Sequence, residues 1–256
     1  MKTTKSTAIA VAVVAAGMLG AGLAWSPAFA EGKKPHWGYA NDNGPARWAG
    51  MSDKFRTCGT GKVQSPVNIT SASVSRGATL DLSYKTGGAV IVNNGHTVQV
   101  NVPKGNTLTA GGKTFHLKQF HFHTPSENTV DGKHYDMEMH LVHQADDGQL
   151  AVVAVMIEKG KRFSAFDLMP TPAEAGEKVD VSVWAVNPAD FMPNEHAHVA
   201  FPGSLTTPPC SEGVKWFVML HPMQVKAATI ARFHGVLGNN NRPVNPLNGR
   251  PVTVAF

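Results

Sequence analysis

Cysteine is nearly absent. The 256-residue chain holds two, Cys58 and Cys210, which rules out a small disulfide-stapled scaffold and any CxxC zinc or redox site. Charge is sparse too, at 16% of residues, and no block of Lys or Arg offers a nucleic-acid footprint. The formal net charge of +5 is therefore no signal of a nucleic-acid partner. No motif recurs with a period of roughly 20–50 residues, which excludes solenoids and propellers. Beyond residue 30 there is no low-complexity tract.

The one long apolar run lies at the N-terminus. Lys2 and Lys5 give a basic start, residues 8–24 are almost all small or aliphatic, and SPAFA (26–30) ends in Ala28-x-Ala30. That is the pattern of a cleaved secretory signal over residues 1–30, with an uncleaved anchor as the alternative. Cleavage leaves residues 31–256, enough for one domain with a substantial core. It also implies export, to the periplasm before full secretion, and no membrane association afterwards. In an oxidising compartment two cysteines admit one pairing, Cys58 with Cys210, closing a loop of about 150 residues. Two free buried thiols remain the alternative.

The mature chain is punctuated by Gly and Pro. Short alternating segments dominate: 89–102, 114–123, 135–144, 150–159 and 214–222. Turn clusters such as KTGG, PKGN, TVDGK and ADDGQ separate them. Helical spacing appears only over 164–169 and over 222–236, where Met223, Ala227, Ile230, Ala231 and His234 recur. Residues 36–50 read as irregular. The pattern describes one β-rich domain with mainly antiparallel pairing.

Residues 119–128 read QFHFHTPSEN. Side chains alternate across a strand, so His121 and His123 share one face and Phe120 and Phe122 the other. If Asp131-Gly132 makes a two-residue hairpin turn, YDMEMHLVHQ (135–144) returns with His140 opposite His123 and diagonal to His121. Pro125 interrupts the first strand, but a slip of two residues would keep the shared face. Three neutral imidazoles leave one tetrahedral position open, as in a catalytic rather than a structural zinc site. Gln119 and Glu138 each stand two residues before a histidine, on the same face, as acceptors for the outer ring N–H groups. Histidines on a wet sheet face are the alternative.

These segments, together with GSLTTPPCSEGVKW (203–216), HWGY (36–39), NGPARW (43–48), QSPVNI (64–69), NNGHTVQV (93–100) and NRPVNPLNGR (241–250), resemble the α-class carbonic anhydrases of bacteria. The resemblance covers residues 36–256. It implies a mainly β (α+β) single domain on a large twisted, mostly antiparallel sheet of about ten strands, with a few short peripheral helices. It implies one Zn2+ per chain on His121, His123 and His140, with Gln119, Glu138 and the Asn240 main-chain carbonyl as supporting acceptors. Thr206 would accept a hydrogen bond from zinc-bound hydroxide, and Glu127 would accept one from the Thr206 hydroxyl. Thr207 would sit by the departing bicarbonate. Val142, Val152, Leu205, Val214 and Trp216 would form the apolar wall for carbon dioxide. His96 would shuttle the proton, with Tyr39, Asn94 and Gln99 along the water path; the family often has Asn where Gln99 stands.

The implied activity is reversible hydration of carbon dioxide to bicarbonate and a proton, with weak esterase activity and sensitivity to sulfonamide and anion inhibitors. A homodimer is the expectation from bacterial members. His36, His116, His134, His143, His196, His198, His221 and His234 receive no catalytic role. The second His-x-His, His196 and His198, lacks a third partner and reads as surface or structural. Two rivals stay open: a copper/zinc protein of the superoxide dismutase type, which would need more histidine ligands, and a non-catalytic zinc-binding module.

Overall fold

Alternating apolar residues are what bring the distant segments of this chain together. The structure, a computed structural model, describes residues 36–70, 74–76, 79–182 and 186–256. The expected signal peptide and its cleavage site lie outside them. Among the described residues ten strands form the path of one sheet. From edge to edge they are Lys178–Asp180, Val90–Asn93, Val98–Asn101, Lys113–His123, Met137–Gln144, Leu150–Gly160, Glu212–Met219, His198–Ser204, Val252–Ala255 and Val74–Arg76. Leu80–Ser83, Thr107–Ala110 and Met223–Lys226 pair off this path. Most pairings are antiparallel. The exceptions join Leu150–Gly160 to Glu212–Met219 and to Met223–Lys226, and Val252–Ala255 to Val74–Arg76. A separate parallel pair joins Asn68–Ile69 to Thr129–Val130. The helices are short: Trp48–Met51, Thr57–Thr60, Ala165–Leu168 and Ala227–Leu237.

The helix expected over 222–236 starts five residues late. Met223–Lys226 is a strand that runs beside Ile157–Gly160 and buries Val225. Lys226 stays extended as the N-cap, and Gly238 at φ 59° ends the helix, its N–H bonded to His234 O. Only a residue without a Cβ takes that conformation at little cost.

The central strands bury both faces. One face packs Phe115, Leu117, Phe120, Phe122, Met139, Leu141, Val153 and Val155 against Phe166, Phe191 and Phe233. Phe122 sits 4.8 Å from Phe233, ring centre to ring centre, and Phe120 5.3 Å from Phe191. The other face packs Val152, Ala154, Val214, Trp216 and Val218 with Val67 and Ile69.

Strict alternation along 114–123 would not allow this. Phe115 and Leu117 are odd-numbered, Phe120 and Phe122 even, yet all four share a face. A bulge reconciles them: the register with Met137–Gln144 shifts between Leu117 and Gln119. Lys118 is the extra residue, and it re-aims everything that follows. Beyond it, Gln119, His121 and His123 all turn away from the aromatic core.

The hairpin register also differs from expectation. His121, not His123, lies opposite His140, and His123 pairs with Glu138. The Asp131-Gly132 turn does form, with positive φ at both residues and Val130 bridged to Lys133. Its register does not propagate, because the first arm carries two extra residues. Glu127 and Asn128 turn inward and give their backbone N–H groups to the Glu138 carboxylate, at 2.7 and 2.8 Å. The slip is two residues, so the three histidines still share a face.

Cys58 and Cys210 are disulfide-bonded across a separation of 152 residues. The bridge ties the Thr57–Thr60 helix to the loop that follows Thr206. Cys210 O accepts from Gln64 Nε2 at 3.0 Å, which fixes that loop further. Replacing both cysteines with serine is expected to lower stability by about 2–5 kcal/mol, because the unfolded chain regains a long loop. Urea unfolding of the disulfide-bonded parent and of the double-serine variant measures this; equal midpoints would show that the bridge contributes nothing.

Candidate active site

Two adjacent antiparallel strands supply three imidazoles. The His121 ring centre lies 5.1 Å from that of His123 and 5.3 Å from that of His140, and His123 and His140 are 4.6 Å apart. Each offers one nitrogen, and these atoms all lie within 4.8 Å of one another. It is the one such cluster of three or more His, Cys, Asp or Glu among the described residues.

Each ring is held from behind. His121 Nδ1 is 2.9 Å from Gln119 Oε1, and His123 Nδ1 is 2.7 Å from the carbonyl oxygen of Asn240. His140 Nε2 lies 3.0 Å from Glu138 Oε1, though off the line of an ideal hydrogen bond. The inner atoms are therefore Nε2, Nε2 and Nδ1. Burial, then the charges of His123 and His140, holds His121 well below the usual imidazole range. Burial, then His123, does the same to His140. Burial lowers His123 as well, against the raising effect of the Asn240 carbonyl. Neutral imidazole is the form that binds a metal.

The residues fit a zinc ion. The donor set is three neutral nitrogens with one tetrahedral position left over. His123 Nε2 is buried and has no hydrogen-bond partner. A buried polar atom is nearly always paired, so an orphan facing two other nitrogens suits a cation.

Two fully buried carboxylates flank the cluster. Glu138 accepts from Glu127 N, Asn128 N and Asn128 Nδ2 at 2.7, 2.8 and 2.6 Å. Burial raises its pKa and the Asn128 bonds oppose that. Glu127 is pushed up to about 8 by burial, while the Thr206 hydroxyl and the Arg242 backbone N–H pull it back. Glu127 Oε1 accepts that N–H at 2.8 Å; Oε2 lies 3.5 Å from His123 Nε2.

The wall beside the histidines is apolar. Val152, Val214 and Trp216 are buried, with Val142 and Leu205 packed against them. Trp216 meets the His140 ring edge-on at 4.9 Å and donates its Nε1–H to Ser204 O at 2.9 Å. Thr206 is buried and Thr207 half-buried, on a turn closed by Cys210 N to Thr207 O at 2.8 Å.

His96 sits on the 94–97 turn between Val90–Asn93 and Val98–Asn101. It is half-buried and stacks flat on Trp37 at 3.7 Å. Partial burial, then His36, lowers its pKa. Asn94 Oδ1 accepts from His96 N and Thr97 N, each at 2.9 Å. Asn94 Nδ2 donates to Gln99 Oε1 at 3.2 Å, and Gln99 donates to Asn101 Oδ1 at 2.7 Å. Gln99 is the register partner of His121, which connects this polar row to the cluster. Tyr39 lies among Trp37 and Trp48; burial, then the Glu127 charge, holds its hydroxyl protonated.

The remaining histidines stand apart from the cluster. His143 is buried against Tyr84, whose hydroxyl is 2.9 Å from Nε2, and burial lowers its pKa to about 4. His198 is buried beside Phe217 and His196 is exposed, consistent with a structural and a surface residue. Two residues near the site were not singled out by sequence. Trp37 carries the His96 ring. Arg242 is buried over Trp48 and donates to Ser65 O and Cys58 O at 2.7 and 2.8 Å, while its backbone holds Glu127. Arg242 lies inside the quoted NRP motif; a lone basic residue between Asn241 and Pro243 gives no local sign of burial.

The family model for eukaryotic-type carbonic anhydrase matches residues 43–256. The carbonic anhydrase of Pectobacterium carotovorum is 44% identical over 220 residues, covering 84% of this chain and 89% of that protein. The α-carbonic anhydrase structure from Photobacterium profundum superposes with a TM-score of 0.80 at 46% identity, covering 85% of this chain and all of that one. The Thermovibrio ammonificans α-carbonic anhydrase, solved with the inhibitor sulfanilamide, gives 0.80 at 38% identity over 86% of this chain and all of that one. This chain belongs to the eukaryotic-type, or α-class, carbonic anhydrase family.

Proposed function

We propose that this chain hydrates carbon dioxide reversibly with zinc held by His121, His123 and His140, and exports its proton through His96. The observation that carries the reading is the site's construction: three neutral imidazoles, each held from behind by an acceptor, facing an apolar wall. Zinc bound there would supply the acidity for which carbonic anhydrase is itself the standard case, a water with a pKa of about 7.

The chain's own groups do the rest. Thr206 would donate its hydroxyl hydrogen bond to Glu127, which leaves its oxygen to accept, and it would hold the attacking oxygen in one orientation. Val142, Val152, Leu205, Val214 and Trp216 would receive an uncharged, apolar gas. Thr207 would stand by the departing bicarbonate. His96, its pKa lowered by partial burial and then His36, would take a proton relayed through water lined by Tyr39, Asn94 and Gln99. The same cleft would take an aromatic sulfonamide.

Stopped-flow hydration is the first test. Activity should vanish with chelator, return with zinc and fall with sulfanilamide, and His121→Ala should lose both metal and hydration. One zinc per chain without hydration would instead support a non-catalytic binding module, and copper in the purified protein would revive the redox reading. His96→Ala should slow turnover by up to roughly 100-fold, the low end of what a positioned acid or base supplies. Imidazole buffer should restore part of that loss; no rescue would sink the shuttle role. Export is tested by the mass of the mature chain, which should begin at Glu31.

A further inference from the structure

Asn240 has been used so far for its main-chain carbonyl, which holds His123. Its side chain does something else. The residue is buried, and Nδ2 donates to two carbonyl oxygens, His96 O at 3.1 Å and Phe122 O at 3.0 Å. Oδ1 accepts from Thr124 N at 2.8 Å, and the Asn240 backbone N–H donates to Thr124 O at 3.1 Å. One amide therefore touches the backbone of the proposed proton carrier and the peptide between the two histidines of the Lys113–His123 strand.

The link is reinforced from the turn. Thr97 Oγ1 donates to the same Phe122 carbonyl at 2.6 Å and receives the Phe122 N–H at 3.2 Å. Asn94 caps the turn from within, and Trp37 backs the imidazole. Among the described residues the His96 carbonyl reaches the histidine strand through the Asn240 amide, and without that amide Thr97 alone would hold the turn to Phe122. Proton relay through water is sensitive to distance, so a turn that drifts would break the relay while the metal site stayed intact.

We propose that the Asn240 side chain is a positioning residue for proton transfer: it pins the His96 turn to the strand that carries His121 and His123. The inference rests on the proposed shuttle role of His96. Proton release follows departure of bicarbonate, so a fault in it lowers kcat and spares kcat/KM for carbon dioxide.

The test compares parent, Asn240→Ala, His96→Ala and the double variant. It uses zinc content, kcat and kcat/KM across imidazole concentrations, and amide hydrogen exchange with and without zinc. Asn240→Ala should keep its zinc and its kcat/KM, lose about tenfold in kcat, less than the roughly 100-fold cost of a 1 Å misplacement at the reacting centre, and recover with imidazole. Exchange should quicken at residues 94–97, in the metal-free chain too, and stay unchanged over Met137–Gln144. The double variant should be no slower than His96→Ala. A parallel fall in kcat/KM, loss of zinc, or an additive loss in the double variant would overturn the inference, because Asn240 would then be acting on His123. A normal kcat in Asn240→Ala beside a slow His96→Ala overturns this inference alone; a normal kcat in His96→Ala overturns the shuttle reading as well. If Asn240→Ala does not fold, Asn240→Ser, too short to span both carbonyls, carries the same expectations.

Discussion

The buried carboxylate of Glu138 is the constraint around which this site is arranged. A charge with no access to water is tolerated only when hydrogen bonds replace the lost hydration. Glu127 N, Asn128 N and Asn128 Nδ2 provide that replacement. To reach it, the chain after His123 must turn inward, which adds two residues to one arm of the hairpin and sets the register that places His121 opposite His140. The same turn carries Glu127 to the side of Thr206 and leaves the other Glu138 oxygen against His140. One polar requirement thus decides the strand register and the position of the second carboxylate.

The aromatic face of the sheet gives that arrangement its rigidity. Phe120 and Phe122 lie between the site residues in sequence and on the opposite side in space, locked among Phe166, Phe191 and Phe233. Truncating a buried Phe costs about 3–5 kcal/mol, which is the scale of resistance to any rotation of this strand. Interiors are packed too tightly for small adjustments, so His121 and His123 inherit their direction from the phenylalanines between them.

The far end of the chain closes the site. Residues 240–242 deliver the carbonyl that holds His123, the amide that holds the His96 turn, and the N–H that holds Glu127. The Arg242 guanidinium then fastens this segment to Cys58 O, beside the disulfide that restrains the loop after Thr206. His123, Glu127 and the His96 turn are thus all tied to Asn240 and Arg242.

Much of this was legible in the sequence. Period-two alternation identified the long strands, and the His-x-His spacing with His140 and the flanking Gln119 and Glu138 identified one chemical face, because side-chain direction in a strand is a local property. The Asp131-Gly132 turn was readable for the same reason, since it depends on two residues that accept positive φ. What only the tertiary structure decided are quantities set by partners far along the chain. The bulge at Lys118 exists because two runs of apolar residues of opposite parity must share one core. The register follows from where a buried carboxylate finds its donors, and the strand character of Met223–Lys226 from its neighbour at Ile157–Gly160. The burial of Arg242 and the double role of Asn240 depend on contacts more than a hundred residues away, and no local pattern encodes those.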